Sequence, residues 1–308
     1  MKDGPFTNQI FKYLTAAASA SVLLIILAML VTLILESYPA MSHFGLFNFL
    51  TTADWNYSAE IFGAVRPLFG TFLSTILALI VAVPVALGMA IFLTELCPDK
   101  LRSTIGTTLE LLAAIPSIIY GMWGLFILAP FLETYFQPLI TQTLGQLPII
   151  GDFFKAKLAG GVNLFTASMI LSVMIIPFIS SIAREAMTQV PPMLKESSYG
   201  IGATRWETLR YVVIPYAKMA IAGGVILAMG RALGETMAVS YVIGNRHAAL
   251  ESIFSPYTTI TSVLANEFNE AGGLQLSSLF SLALILFLAN FLALTIAKRL
   301  LGGKKWTI

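Results

Sequence analysis

The sequence predicts an all-α, polytopic membrane protein, and three observations carry that prediction. Hydrophobic residues make up 57% of the chain and charged residues 11%, with a mean hydropathy of +0.84, far from the roughly one-half apolar and one-quarter charged balance of soluble domains. Six segments, at about 13–35, 68–93, 105–129, 162–183, 217–243 and 276–297, approach or exceed the ~20 apolar residues that cross a bilayer as helix. Basic residues are distributed unevenly between alternate loops. Hydrocarbon offers irregular backbone no hydrogen-bond partner, so segments of this kind form helices.

Taken in order, the first span, Tyr13 to Leu35, exceeds the roughly 7–15-residue apolar core of a cleaved signal peptide and reads as a membrane helix. An excursion over about 36–67 separates it from the second span. Pro84, Pro116 and Pro177 fall inside spans two, three and four, where each removes a backbone donor and is expected to kink its helix. Gly70, Ser74, Gly88, Ser117, Gly121, Gly124, Gly223, Gly224, Gly230 and Gly234 accompany them and let helices approach closely. The stretch at about 130–161, rich in Pro, Gly and Gln, is expected to form short elements over the mouth of the bundle. A further loop, 244–275, contains the stretch Ser255–Phe268, which turns at Pro256 and has helical character in its final third. With no repeat or linker, the chain divides into an N-terminal helix and loop (1–67), a helical core (68–300) carrying a long polar loop at 184–216, and a short tail (301–308).

Thirteen of the 18 Lys and Arg residues lie on one side of the six spans and four on the other, with Arg231 inside a span. The positive-inside bias therefore puts both termini and the loop 184–216 in the cytoplasm. Membrane topology alone accounts for this basic face, so no nucleic-acid partner is implied. Cys97 is the sole cysteine and His43 and His247 are the only histidines, which excludes an intrachain disulfide and offers no metal-ligand cluster. No Gly-x-x-x-x-Gly-Lys-Ser/Thr phosphate loop occurs, so the chain is not expected to hydrolyse nucleotide by itself. Nor does it hold a plausible nucleophile, base and orienter set; it reads as no enzyme, with no cofactor of its own.

Within the polar loop, Pro191-Pro192 ends what precedes it, Met193 to Tyr199 can form a short helix, and Gly200 and Gly202 allow a sharp change of direction. Thr204 with Glu207 three residues on is a capping-box pattern for a second helix, and Pro215 suits the entry to the next span. The expected product is a helix-turn-helix unit lying across the inner membrane surface. Glu196, Ser197, Ser198 and Gly202, followed by Val212, Ile214 and Pro215, resemble the EAA loop of ABC importer permeases, in which this loop docks as a coupling helix in a cleft of the ATPase subunit. Ser-Ser stands here where that family usually has Ala-Ala, which keeps the size and adds hydroxyls.

Span five places Arg231 near its centre and Glu235 one turn later, on what a continuous helix makes the same face. An arginine at a helix centre costs about 2.5–3.5 kcal/mol on insertion scales, so both groups are expected to face the bundle interior or a water-filled route. A guanidinium fork suits an oxyanion, and a neighbouring carboxylate weakens its hold; the alternative reading is an ion pair locking two helices. Glu110 reads as interfacial.

Glu60–Thr71, Leu109–Leu125, Gly230–Val239 and Thr258–Phe268 together make nearly the whole chain resemble the permeases of phosphate-specific ABC importers, and in particular the C-type subunit rather than its A-type sister. The resemblance implies the type I (MetI-like) importer permease fold and places Arg231 and Glu235 at the positions of phosphate passage. It also implies an A-type sister permease, a cytoplasmic ATPase dimer holding ATP and Mg, an external or periplasmic phosphate-binding protein, and residence in the bacterial inner membrane. The local chemistry by itself fits molybdate or sulfate as well, and midplane charges also serve ion-coupled secondary transporters.

Overall fold

The computed structural model describes residues 5–148, 150–155 and 160–302, so residues 303–308 of the expected tail lie outside the described residues. Six described helices are long and apolar enough to cross a membrane: Gln9–Phe44, Val65–Leu96, Ser117–Gln146, Leu164–Thr188, Arg205–Leu233 and Gly273–Arg299. Helix α1 (Pro5–Phe44) is followed by the short α2 (Leu46–Thr51) and a two-residue antiparallel pair, β1 (Trp55–Asn56) with β2 (Ile61–Phe62), in which Trp55 faces Phe62. Next come α3 (Val65–Ile91) and α4 (Asp99–Ala113). The third span joins α5 (Ser117–Trp123), α6 (Ala129–Phe131) and α7 (Gln137–Thr143) through wider, π-type turns. Then follow α8 (Leu164–Thr188), α9 (Pro192–Gly200), α10 (Arg205–Thr208), α11 (Ile214–Leu233), α12 (Met237–Val242), α13 (Ile260–Glu267) and α14 (Gly273–Gly302).

The core forms around α8, whose apolar stretch is the most enclosed of the six. Ala78, Ala82, Ala86 and Ala90 recur every fourth residue along α3 and are fully buried. Their methyl groups let α3 lie close against α8, and small-residue packing of this kind substitutes for the hydrophobic drive that lipid removes. A second cluster, Phe49, Trp55, Phe62, Ala64, Ile260, Val263, Leu279 and Leu282, closes one end of the bundle. Helix α1 meets α14 near that same end. Ser277 accepts from the Ala40 amide at 2.8 Å and donates to the Glu36 carbonyl at 2.9 Å, inserting a hydroxyl into the helical ladder beside Pro39. The C-terminal end of α1 thus abuts the N-terminal end of α14, so the two run antiparallel and the chain's described ends share the face opposite that cluster. Most of α1 from Ile10 to Leu35 presents its apolar side chains outward.

The first span is longer than expected, α1 running on through Phe44 into the stretch expected as a loop, and two further spans differ in course from the structure. The segment 105–129 is not one helix: α4 ends at Ala113, Pro116 caps α5 with an extended backbone (φ −58°, ψ 138°), and the crossing runs on to Gln146. A proline's ring opposes helical geometry in the residue before it, so Pro116 starts a helix instead of kinking one. The stretch 130–146, expected as part of a loop, consequently belongs to a helical run long and apolar enough to cross a membrane. Span five also differs, as its site geometry shows. Pro84 and Pro177 do lie inside continuous helices.

Candidate functional site

Two features dominate the polar parts of the fold, and a single helical stretch joins them. At the end of the bundle that carries the termini, Pro191 and Pro192 open α9. Ser198 turns inward and its hydroxyl lies 2.9 Å from that of Thr208, while Ser197 donates to the Met193 carbonyl at 2.7 Å. Gly202 then takes φ +90° and reverses the chain, a conformation glycine adopts without steric cost. The capping box forms as its residue pattern indicates: the Glu207 amide donates to Thr204 Oγ1 and the Thr204 amide to Glu207 Oε2 at 2.7 Å. Glu196 is solvent-exposed.

The second helix of this unit is not a separate surface element. It runs from Arg205 without interruption into the fifth span, through a wider turn over Leu209–Val213. Pro215 has no N–H to offer the Tyr211 carbonyl, and a local π turn accommodates that loss. A shallow concavity of about 650 Å³ lies in the crook of the unit, lined by Leu194, Ser197, Ser198, Gly202, Glu207 and Tyr211. Around it Met193, Ile201, Trp206 and Tyr211 project into solvent, Ile201 with 88% of its surface exposed. Large apolar side chains grouped on a polar surface mark an interaction site. Loop-level polarity concealed these four residues; their spacing about the Gly202 turn was the available signal. Lys195 fastens the unit to the second span through Glu95, 2.5 Å away.

The second feature lies at the other end of the same helix. Instead of continuing to residue 243, α11 stops at Leu233 with Gly234 as its cap, and α12 begins only at Met237. Arg231 sits exposed in the last turn of α11 and Glu235 half-buried in the break, so the two are not one turn apart on a common helical face. The physical reason is local. Gly230 and Gly234 weaken the helix, and the Glu235 carboxylate accepts from the Ala238 amide at 3.3 Å, capping α12 in the manner of an N-terminal acceptor. Thr261 of α13 donates to the Glu235 carbonyl at 2.7 Å. No ion pair joins Arg231 to Glu235 among the described residues. Glu110, on α4, pairs instead with Arg184 of α8 at 2.8 Å. Gly121 permits the close seating of α12 on α5, since a Cβ there would lie 2.9 Å from Tyr241 and 3.0 Å from the Ala238 backbone.

Among the described residues no group of three or more His, Cys, Asp or Glu is arranged to hold a metal. The arrangement is suited to motion and passage: an exposed knob, a helix leading from it, and a break bearing a cation and a carboxylate.

Comparison with known proteins gives this arrangement its family. The model for the binding-protein-dependent transport system inner membrane component matches residues 82–302. The chain belongs to that family. Among related permeases, the phosphate transport system permease protein PstC of Mesorhizobium japonicum is 52% identical, with 96% of this chain and 90% of the relative covered. Its counterpart in Pasteurella multocida is 49% identical over 95% and 91%, and a probable one in Methanocaldococcus jannaschii 34% identical over 90% and 88%. Solved permeases share the fold. A subunit of a bacterial ABC transporter for import of the acidic polysaccharide alginate superposes with a TM-score of 0.63 at 16% identity, covering 98% of this chain and 99% of that one. A subunit of the MetNI methionine transporter superposes with 0.51 at 18% identity, over 76% and 91%. The all-α, six-span MetI-like architecture of the permease is therefore established, and its matched region contains both the knob and the break.

Proposed function

We propose that this chain is a permease subunit of an ATP-driven phosphate importer and provides half of the translocation route, moved from the knob α9–α10. The relatives' shared designation as phosphate transport permeases, at 34–52% identity over most of both chains, supports phosphate over molybdate or sulfate. Membership of a binding-protein-dependent family argues against an ion-coupled carrier. The basic-residue bias puts the knob and both termini in the cytoplasm, where a separate ATPase dimer, with its ATP and Mg, would receive Ile201 and Trp206 around Ser197, Ser198 and Glu196. An A-type sister permease completes the route, and an external binding protein delivers phosphate to its other end.

The observation that carries this reading is the uninterrupted helical stretch Arg205–Leu233. At about 1.5 Å per residue it spans roughly 40 Å, with the knob at one end and Arg231 at the other. Displacement of the knob when the ATPases close would therefore move the cation and alter the break around Glu235. Arg231 offers a fork of donors to the oxyanion, and Glu235 keeps that contact weak enough for release. Uptake of labelled phosphate by the reconstituted complex, with sulfate as competitor, tests the assignment. ATP-dependent uptake that vanadate blocks and sulfate does not compete for is expected. Uptake driven by an ion gradient without ATP overturns it.

A further inference from the structure

Helix α12, the far side of the break, is gripped along its length by α13. At the break, Thr261 Oγ1 donates to the Glu235 carbonyl at 2.7 Å. Midway, the Ser240 hydroxyl donates to Asn266 Oδ1 at 3.1 Å. Beyond the far end of α12, His247 Nε2 lies 3.0 Å from Glu267 Oε1. All three gripping residues belong to the Thr258–Phe268 stretch, whose chemistry the transport reading leaves unused.

Glu267 is the strongest of the three anchors. Its Oε2 also accepts from Trp55 Nε1 at 2.9 Å and from Gln275 Nε2 at 3.0 Å, so one carboxylate gathers donors from β1 and from the start of α14 as well. His247 is held on other sides too: its ring stacks on Trp55, with centroids 5.9 Å apart and planes inclined by 15°. Its carbonyl accepts from Arg66 Nη1 at 2.8 Å, and the same guanidinium bonds Asp54 at 3.1 Å. Between His247 and α12 the chain passes through Gly244 (φ +93°) and Asn245 (φ +48°). A left-handed asparagine persists where its surroundings over-determine it, and here its side-chain amide donates to the Ser240 carbonyl at 2.8 Å. Helix α13 is itself anchored on α3, the Ile260 amide donating to Thr71 Oγ1 at 3.0 Å.

We propose that α13 is a splint for the broken span, and that Glu267 is a positioning residue which, through His247, fixes α12 and so holds Glu235 in its place at the break. This rests on the reading of Arg231 and Glu235 as the passage residues. Charge-assisted hydrogen bonds are the stronger ones, and three meet at this carboxylate. Its loss frees the far end of α12 while leaving the α3–α8 core untouched.

The test uses the complete complex in proteoliposomes. Cys97→Ser removes the sole cysteine and Thr236→Cys places a reporter in the break, read by its rate of labelling with a small hydrophilic maleimide. Glu267→Ala is expected to raise that rate at least about tenfold, as loss of charge-assisted hydrogen bonds from the closed state implies, and to lower kcat for uptake more than it raises KM. His247→Ala is expected to do the same, and the double variant to be no worse than the worse single, because both act through one contact. Glu267→Gln, which keeps volume and an acceptor, is expected to fall between wild type and Glu267→Ala. Unchanged labelling in an assembled Glu267→Gln or Asn266→Ala complex overturns the splint, as does full additivity of the Glu267 and His247 effects. Failure of the passage reading shows elsewhere: Arg231→Gln would then leave uptake intact while labelling at position 236 still reported on α13.

Discussion

The hydroxyls of Ser198 and Thr208 meet 2.9 Å apart in the interior of the knob, the one buried polar contact linking α9 to α10 among the described residues. Removing one partner strands the other, which costs about 1–3 kcal/mol, whereas replacing both with apolar groups is close to neutral. Thr208→Val is therefore expected to speed hydrogen exchange over 192–208 in the assembled complex, and Ser198→Ala with Thr208→Val to restore most of the protection. Equal exchange in the single and double variants would show that size, not the hydroxyl pair, holds the hairpin.

Two glycines are required for different reasons, and substitution separates them. Gly202 has φ +90° with nothing within 4 Å of an added Cβ, so Gly202→Ala carries only a backbone cost of about 1–2 kcal/mol. The expected outcome is an assembled complex whose ATP hydrolysis no longer tracks phosphate uptake. At Gly70 a Cβ would stand 1.9 Å from the Thr258 carbonyl oxygen. Gly70→Ala is expected to displace the start of α13 and reduce the yield of folded complex, measured by size-exclusion recovery.

Much of this was legible in the sequence because it depends on local chemistry. Apolar length located the second, fourth and sixth spans within a few residues, and Thr204 with Glu207 marked the cap that forms. What hydropathy does not register is backbone continuity. Met237 to Val242 is as apolar as the helix before it, so the break at Gly234–Thr236 was hidden behind Gly234 and a carboxylate that caps instead of pairing. Leu109, Leu111 and Leu112 blended α4 into the third span in the same way. The alignment of α13 along α12 joins residues up to 26 positions apart in the chain, which no local pattern encodes.

Acid is expected to loosen the α13 anchor in a defined direction. Burial pushes the Glu267 carboxyl up, but hydrogen bonds from His247, Trp55 and Gln275 and the nearby histidine charge outweigh it and leave its pKa below the usual 4.5. A carboxylate whose folded pKa is depressed contributes stability that is present above the unfolded value and lost as pH falls through the folded one. Hydrogen exchange over 260–267 is therefore expected to stay protected at neutral pH and to lose protection below the ordinary glutamate range, with Arg66, Asp54 and His247 as the other ionisable groups of the cluster. Glu267→Gln is expected to flatten that profile; an unchanged acid limb would assign it to another carboxylate.

Arg231 supplies the most direct test of the route. It is exposed at the end of α11 and has no ion pair with Glu235, so its neutralisation removes an anion-binding fork without stranding a buried partner. Arg231→Gln is expected to abolish phosphate uptake while the complex assembles and hydrolyses ATP, and Arg231→Lys to retain part of the activity, because a point charge attracts the oxyanion but does not grip it in two places. A buried structural arginine would behave otherwise, since truncating it costs several kcal/mol and disrupts assembly. Comparing complex yield with uptake across the two substitutions therefore decides between passage and scaffolding at the end of the lever that begins at Arg205.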